Sequence, residues 1–350
     1  MYYDLLHSPD AVVPDVDRTA RAMVERVGLP EPRPAWFQAS VCHGYRALFA
    51  RVHPSRQLAP SRLEVIAPGP RSPSPGVADV PAYIDEIAAM QGDRPLKTHA
   101  TVLTSSAFPE LVEDLLRKGV RHRVDPPSRE LGHERLWIGF SPGGGPEYSP
   151  DDDAGLFFEV IPTQCLGLPD TVVGGAPTAT PAVAPGQMIR VAARSYLVGQ
   201  LDPVLATLEE RLSWPAERVE GTGGERRAVM AVNFPRSARF ELVEPGHDPE
   251  VAAHFARWGP GTYATRITVR DLSAKADDLR ARGTPFRSLP SRGTRPEILR
   301  VDLHVVPGFL FDFVEDEAEG VPQNASAHAA DAGAAVQQQH PAGKKDMGSA

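Results

Sequence analysis

"LKTHATVLTSSAFPELVEDLLRKGV", residues 96–120, reads as a strand that runs through a short polar turn into an amphipathic helix. The β-branched and apolar residues around Val102 favour an extended segment. Leu111, Val112, Leu115 and Leu116 then fall at helical spacing on one stripe, and Gly119 ends the helix. This reading places His99 inside the strand. Taken alone it is an ordinary polar strand residue, so its meaning depends on what the rest of the chain brings beside it.

The rest of the chain repeats this order four times: strand, polar turn, helix, then two or three strands with the last ending near an acid. The first pass covers about residues 5–67, with "DAVVPDVD" as strand and turn, and Ala20, Met23, Val24 and Val27 on one helix face. "YRALFARV" and "SRLEVIAP" supply its later strands. The second pass is the quoted stretch followed by "RLWIGF" and "GLFFEVIP". The third runs from "ARSYLVGQLDPVLATLEERLSWP" through "RAVMAVNF" to "ARFELVEP", and the fourth from "YATRITVRDLSAKADDLRARG" through "EILRVDLHVV" to "GFLFDFVED". Residues 166–189, rich in Gly, Pro, Ala and Thr, read as a linker between an N-terminal domain (1–165) and a C-terminal domain (190–316). Residues 317–350 lack apolar periodicity and read as a disordered tail.

Composition narrows the function. With 350 residues, 41% hydrophobic and 23% charged, the chain can bury sizeable cores. A net charge of −8 without a basic run argues against nucleic acid as a partner. No window approaches a membrane span and no signal peptide is expected, so membrane association is not expected either. Two cysteines, Cys42 and Cys165, make neither a disulfide framework nor a zinc ribbon, which points to a cytoplasmic chain. A small molecule is the expected partner, and homo-oligomerisation stays open.

On the fourfold recurrence of segments such as "VVPDVDRTARAMVERVGL", "ITVRDLSAKADDLRARG", "LEVIAP", "FEVIP" and "FELVEP", the chain resembles the vicinal oxygen chelate superfamily over about residues 5–316. That superfamily includes glyoxalase I, methylmalonyl-CoA epimerase, extradiol dioxygenases and drug-sequestering resistance proteins. The resemblance implies an α+β fold: four βαβββ units paired into two domains, with curled mixed sheets around a cleft. It also implies a divalent metal ion, Fe(II), Mn, Co, Ni or Zn, held by residues of the first and last strands of each unit.

Four copies supply an internal control. The last-strand position is acidic throughout, at Glu64, Glu159, Glu241 and Asp312, whereas the first-strand position is His7 or Ser8, then His99, then about Ala193 and Ala264. Imidazoles therefore occur only in the N-terminal half. Glu64 lies 57 residues after His7, and Glu159 lies 60 after His99. By the resemblance, His7, Glu64, His99 and Glu159 form the metal set, with Glu159 or Glu64 as the proton-moving base of a glyoxalase-like lyase or isomerase. Two alternatives stand beside it. One is an Fe(II) extradiol-type dioxygenase using His7, His99 and Glu159, and the other is a metal-free binding or resistance protein. His43, Arg46, His133, Arg135 and Trp137 are candidates for binding substrate through ion pairing, proton transfer or stacking.

Overall fold

The computed structural model describes residues 1–31, 45–68, 84–127, 132–143, 147–168, 183–222, 224–291 and 296–316. Residues 1–316 form one compact unit. The expected linker lies partly, and the tail wholly, outside the described residues, as does His43.

The quoted stretch folds as strand then helix, with two changes. The strand β5 spans Thr101–Ser105 and the helix α3 spans Phe108–Arg117, so His99 sits in a bend just ahead of the strand rather than inside it. Leu111 and Leu115 are buried as expected, but Leu116 is 72% exposed. The buried stripe is closed instead by Phe108 and by Asp114, which accepts a hydrogen bond from Ser213. After α3 the chain reverses at Gly119 (φ +65°), where Val120 N–H bonds back to the Leu115 carbonyl, the pattern that a left-handed glycine permits at a helix end.

Unit two continues with β6 (His122–Asp125), β7 (Arg135–Ile138) and β8 (Phe158–Pro162). Unit one is made of β1 (Leu5–Ser8), β2 (Asp10–Val12), α1 (Val16–Val27), β3 (Tyr45–Ala50) and β4 (Leu63–Pro68). Its first strand is broken at Pro9, which has no N–H to give a ladder. The β1 half pairs with β5, and the β2 half pairs with β4. The sheets therefore run β1-β5-β8-β7-β6 and β2-β4-β3.

Units three and four share one sheet. They comprise β9 (Met188–Leu197), α4 (Leu201–Leu212), β10 (Ala216–Thr222), β11 (Glu225–Met230) and β12 (Arg239–Glu244), then β13 (Gly261–Val269), α6 (Leu272–Ala281), β14 (Arg287–Leu289), β15 (Ile298–Val301) and β16 (Leu310–Glu315). The order is β10-β11-β12-β9-β13-β16-β15-β14. The first and last strands of every unit lie side by side and parallel, in the pairs β2/β4, β5/β8, β9/β12 and β13/β16. Two helices absent from the sequence expectation join units within each half: α2 (Ile84–Met90) and α5 (Pro249–Trp258).

Alternation along each strand sorts its residues between two faces. Leu63 and Val65 of β4, Phe158 and Val160 of β8, and Leu136 and Ile138 of β7 join the helices in one core that continues into the C-terminal half. There Trp214 lies against Tyr3, Phe158 and Phe240 at ring-centroid distances of 4.7, 5.3 and 5.5 Å. Its indole N–H donates to the Ala231 carbonyl at 2.6 Å. The end of α1 is closed from the other half: Lys275 and Thr284 donate to the Val27 and Arg26 carbonyls at 2.7 and 2.6 Å. These supply partners for carbonyls that a helix leaves unpaired.

Because Trp214 is fully buried and touches both halves, Trp214→Ala is expected to cost about 3–5 kcal/mol and to lower the stability of the whole unit. Chemical denaturation followed by far-UV circular dichroism checks this. A variant that loses only part of its signal in a separate early transition would show that the halves unfold independently.

Candidate active site

The faces turned away from the shared core carry the chemistry. On β4 and β8 these positions are Glu64 and Glu159, both buried. On β7 they are Arg135 and Trp137, and Trp137 is the ladder partner of Glu159. Arg135 Nε lies 4.0 Å from Glu159 Oε1, and its Nη2 donates to Asp125 Oδ2 at 3.3 Å. The Trp137 indole also donates to Asp125, at 2.8 Å. Glu64 accepts a hydrogen bond from the Ser8 hydroxyl at 3.0 Å. The short helix α2 lies across this face. Ile84 packs with Ala47 and Ile66, and Ile87 with Ala100, Trp137, Phe140 and Phe157.

Burial raises the Glu64 carboxyl above its usual range, against the pull of Arg62, Ser8 and Arg135. Glu159 is pushed up to about 7, first by burial and further by Glu64 and Asp125, while Arg135 and Arg62 oppose the rise. A third acid, Asp10, is the ladder partner of Glu64. It accepts hydrogen bonds from the Thr98 hydroxyl and from the backbone N–H groups of His99 (2.6 Å) and Ala100 (3.1 Å). Burial and the neighbouring Glu64 nevertheless raise it to about 8.

The equivalent acids of the C-terminal half have different surroundings. Glu241 accepts hydrogen bonds from Arg227 and Arg266, both at 2.8 Å, and from Ser195 at 3.1 Å. Burial would raise it, but the two guanidinium groups outweigh that and hold it below the usual carboxylate range. Asp312 is clamped by Arg300 through two hydrogen bonds of 2.7 Å. Glu64 and Glu159 have no such close double pairing among the described residues.

The first-strand positions expected from the repeat are displaced. In the parallel ladders the last-strand acids pair with Asp10, Val102, Ser195 and Arg266, not with His7, His99, Ala193 and Ala264. Spacing between segments some 50 residues apart does not fix a parallel register, and a shift by an odd number of residues changes the face a side chain occupies. His7 is fully buried, and its ring nitrogens have no hydrogen-bond partner among the described residues. The groups acting on it are Arg62, Arg51, Arg56 and His133, which together with burial, the largest influence, push it well below the ordinary histidine value. The His99 ring stands edge-on to Trp137 at 5.0 Å.

Among the described residues, no three or more of His, Cys, Asp and Glu are disposed to hold a metal ion. The fold therefore brings Glu64 and Glu159 together but does not assemble His7, Glu64, His99 and Glu159 into a metal-binding group. The positive charges beside the two carboxylates are guanidinium groups. The donor arrangement does not fit the expected divalent ion.

Of the other candidates, Arg135 and Trp137 lie beside Glu159, and the half-buried His133 lies within electrostatic reach of His7, its Nδ1 on the Glu134 carbonyl at 2.9 Å. Arg46 does not reach this face. It forms a bidentate pair with Asp17 of α1 at 2.6 Å, because alternation along β3 turns Ala47 and Phe49, not Arg46, toward the site. Sequence reasoning missed Arg62, whose guanidinium lies 3.5 Å from the centroid of Phe49. Its signal was present: Arg62 stands two residues before Glu64, the spacing that repeats a strand face.

No family model matches the sequence, and no curated protein matches it. Among solved structures, a triple mutant of 4-hydroxymandelate synthase from Streptomyces coelicolor matches over 90% of this chain and 92% of its own, at 12% identity and a TM-score of 0.53. The chain has the vicinal oxygen chelate fold. Two shorter structures each match 37% of the chain with a TM-score of 0.33, too low to carry further argument. One is a variant of methylmalonyl-CoA epimerase from Streptomyces coelicolor in complex with 2-nitronate-propionyl-CoA, at 20% identity over 99% of its length. The other is a hypothetical protein from Bacillus halodurans, at 16% identity over 96% of its length. No helix of the described residues is long and apolar enough to cross a membrane.

Within this vicinal oxygen chelate fold, the raised carboxyls set a pH dependence. A carboxyl whose folded value is raised from 4.5 to about 7 is held neutral in the folded state. The unfolded state releases its proton first, so stability falls as pH rises from about 4.5 to about 7. For Glu159 the loss is on the order of 3 kcal/mol. Asp10 contributes in the same direction. Glu159→Gln is expected to flatten the fall in melting temperature between pH 5 and pH 8 without abolishing it. A variant with the wild-type pH profile would show that Glu159 is not held neutral by the fold.

Proposed function

We propose that the N-terminal half binds a small oxygen-bearing molecule against the Glu64/Glu159 face and moves a proton on it, as a lyase or isomerase. In this reading the four units pair into two domains whose sheets enclose a cleft, and the C-terminal half is the structural partner. The observation that carries it is the contrast between Glu159, buried and raised to about 7, and Glu241, pinned as a carboxylate by two arginines. A base works best when its proton affinity lies near the working pH, which Glu159 meets and Glu241 does not.

Glu159 in its ionised form takes a proton from a carbon next to a carbonyl group. Negative charge then develops on the carbonyl oxygen, and Arg135, 4.0 Å from the base, is placed to stabilise it. Such stabilisation is strongest where water is excluded, and α2 with Ile84 and Ile87 covers this face. Glu64 raises the proton affinity of Glu159 by its charge, and Glu159 returns the proton to the product. Trp137 supplies a flat wall beside the base. The metal-dependent forms of this chemistry need His7 and His99 to join the carboxylates. His7 faces arginines instead and His99 faces Trp137, so neither the metal-held enediolate nor the extradiol reading is favoured.

The test is proton exchange in D2O. Purified protein is incubated with a panel of α-hydroxyketones and α-substituted carbonyl acids, and loss of the α-proton is followed by 1H NMR. Wild-type protein is expected to exchange at least one of them, with the rate lowered about 10²–10³-fold in Glu159→Gln. Binding without exchange across the panel would favour a sequestering protein. Stoichiometric transition metal, lost together with exchange in His99→Ala, would restore the metal-dependent reading.

A further inference from the structure

Next to the carboxylate face, three arginines and two histidines converge. His7 is the deepest, with 1% of its surface exposed and both ring nitrogens buried without a hydrogen-bond partner. Around it stand Arg62, Arg51, Arg56 and His133, all close enough to suppress its protonation. A buried imidazole with both nitrogens unpaired is costly, since each forgoes a hydrogen bond it would make in water. Three cationic groups facing one another are costlier still unless an anion lies among them. Among the described residues, the groups that act most strongly on His7 are these four basic side chains. Glu64 and Glu159 act on Arg62.

The arginines are held but not used up. Arg51 Nη1 donates to the Ala59 and Pro60 carbonyls at 3.0 and 3.1 Å, and Arg56 Nη2 donates to the Leu166 carbonyl. These contacts fix the guanidinium planes through backbone carbonyls, which leave their charge unneutralised. The Nε–H groups of Arg56 and Arg62 are buried and have no hydrogen-bond partner among the described residues. Burial and the presence of Arg51 lower Arg62 to about 10, and burial and Arg56 lower Arg51 to about 10. All three residues are partly exposed, whereas His7 is buried.

We propose that His7, Arg51, Arg56 and Arg62 form a seat for an anionic oxygen group, a carboxylate or a phosphate, of the molecule handled by Glu159. The guanidinium donors match planar or tetrahedral oxyanions, and His7 supplies one further N–H when the anion arrives. Arg62 is linked electrostatically to both sites, since Arg51, Glu64 and Glu159 all act on it. The seat therefore anchors the anionic end of the ligand while its reacting carbon lies at Glu159. This inference rests on the proton-transfer reading above and adds the charge class of its substrate.

The probes are inorganic phosphate and malonate, each titrated into the full chain at constant ionic strength set with chloride. Binding is followed by the 15N and Cε1–H signals of His7 and by the melting temperature. At least one probe is expected to shift the His7 signals saturably and raise the melting temperature, with affinity lowered at least tenfold in Arg62→Met and in Arg56→Met. Arg62→Lys is expected to recover part of the loss. Response to phosphate alone would identify a phosphoryl ligand, and response to malonate alone a carboxylate. Arg56 is half-buried, so its variant keeps the test valid if Arg62→Met does not fold. Two results would overturn the proposal: no saturable change at His7 beyond the chloride control, or wild-type affinity in both methionine variants. Glu159→Gln is expected to bind the probe normally. Loss of exchange with intact anion binding would thus leave the seat standing, and intact exchange without anion binding would remove only the seat.

Discussion

The parallel pairing of each unit's first and last strands constrains everything placed at the centre of the sheets. Strand alternation then sends one residue set into the helix-packed core and the other to the opposite face. Phe158 and Val160 pack with Trp214 and the helices, and Glu159 between them has no choice but the other side. The same ladder gives each acid a fixed neighbour: Asp10, Val102, Ser195 or Arg266. What that neighbour is, and what the antiparallel strand on the far side brings, determines whether the acid is neutralised.

In the C-terminal half it is. Arg266 comes from the first strand of unit four and Arg227 from β11, and both reach Glu241. Arg300 from β15 clamps Asp312, while Glu250 of α5 adds a further carboxylate to Arg300. A buried charge that meets its partners with good geometry becomes a fixed part of the scaffold. In the N-terminal half Val102 stands where a cation could be, Asp10 adds a like charge, and Arg135 is shared between Asp125 and Glu159. Burial raises those carboxyls above their usual range, Glu159 to about 7, the condition in which a group can take or give a proton.

Much of this order was legible. The fourfold recurrence, the strand-helix turn at residues 96–120 and the acid in each last strand all survive in the fold, because hydrophobic periodicity and turn chemistry are local properties. Leu116 was not legible from the stripe, since tertiary packing buried Asp114 and Leu115 and left Leu116 exposed. Register was not legible either. His7 and His99 were aligned with the acids by spacing, but the break at Pro9 and the bend at His99 displaced both. Asp10, two residues past Ser8 in "HSPDAVV", was not singled out in the sequence, and only the β2/β4 ladder shows it opposite Glu64.

The displacement of His7 also explains why the N-terminal half carries two charge environments rather than one. Broken at Pro9, the first strand lends its front half to β5 and its back half to β4. Ser8 and Asp10 go to the carboxylate side, where Ser8 bonds Glu64. His7 is left on the side of Arg51, Arg56 and Arg62. Had the strand run unbroken, as β9 does from Met188 to Leu197, one ladder would have held all of these residues in a single alternation. The break separates a basic cluster from an acidic one over a few residues, with Arg62 between them. That gives the face a polarity suited to a ligand with an anionic end and an acidic carbon.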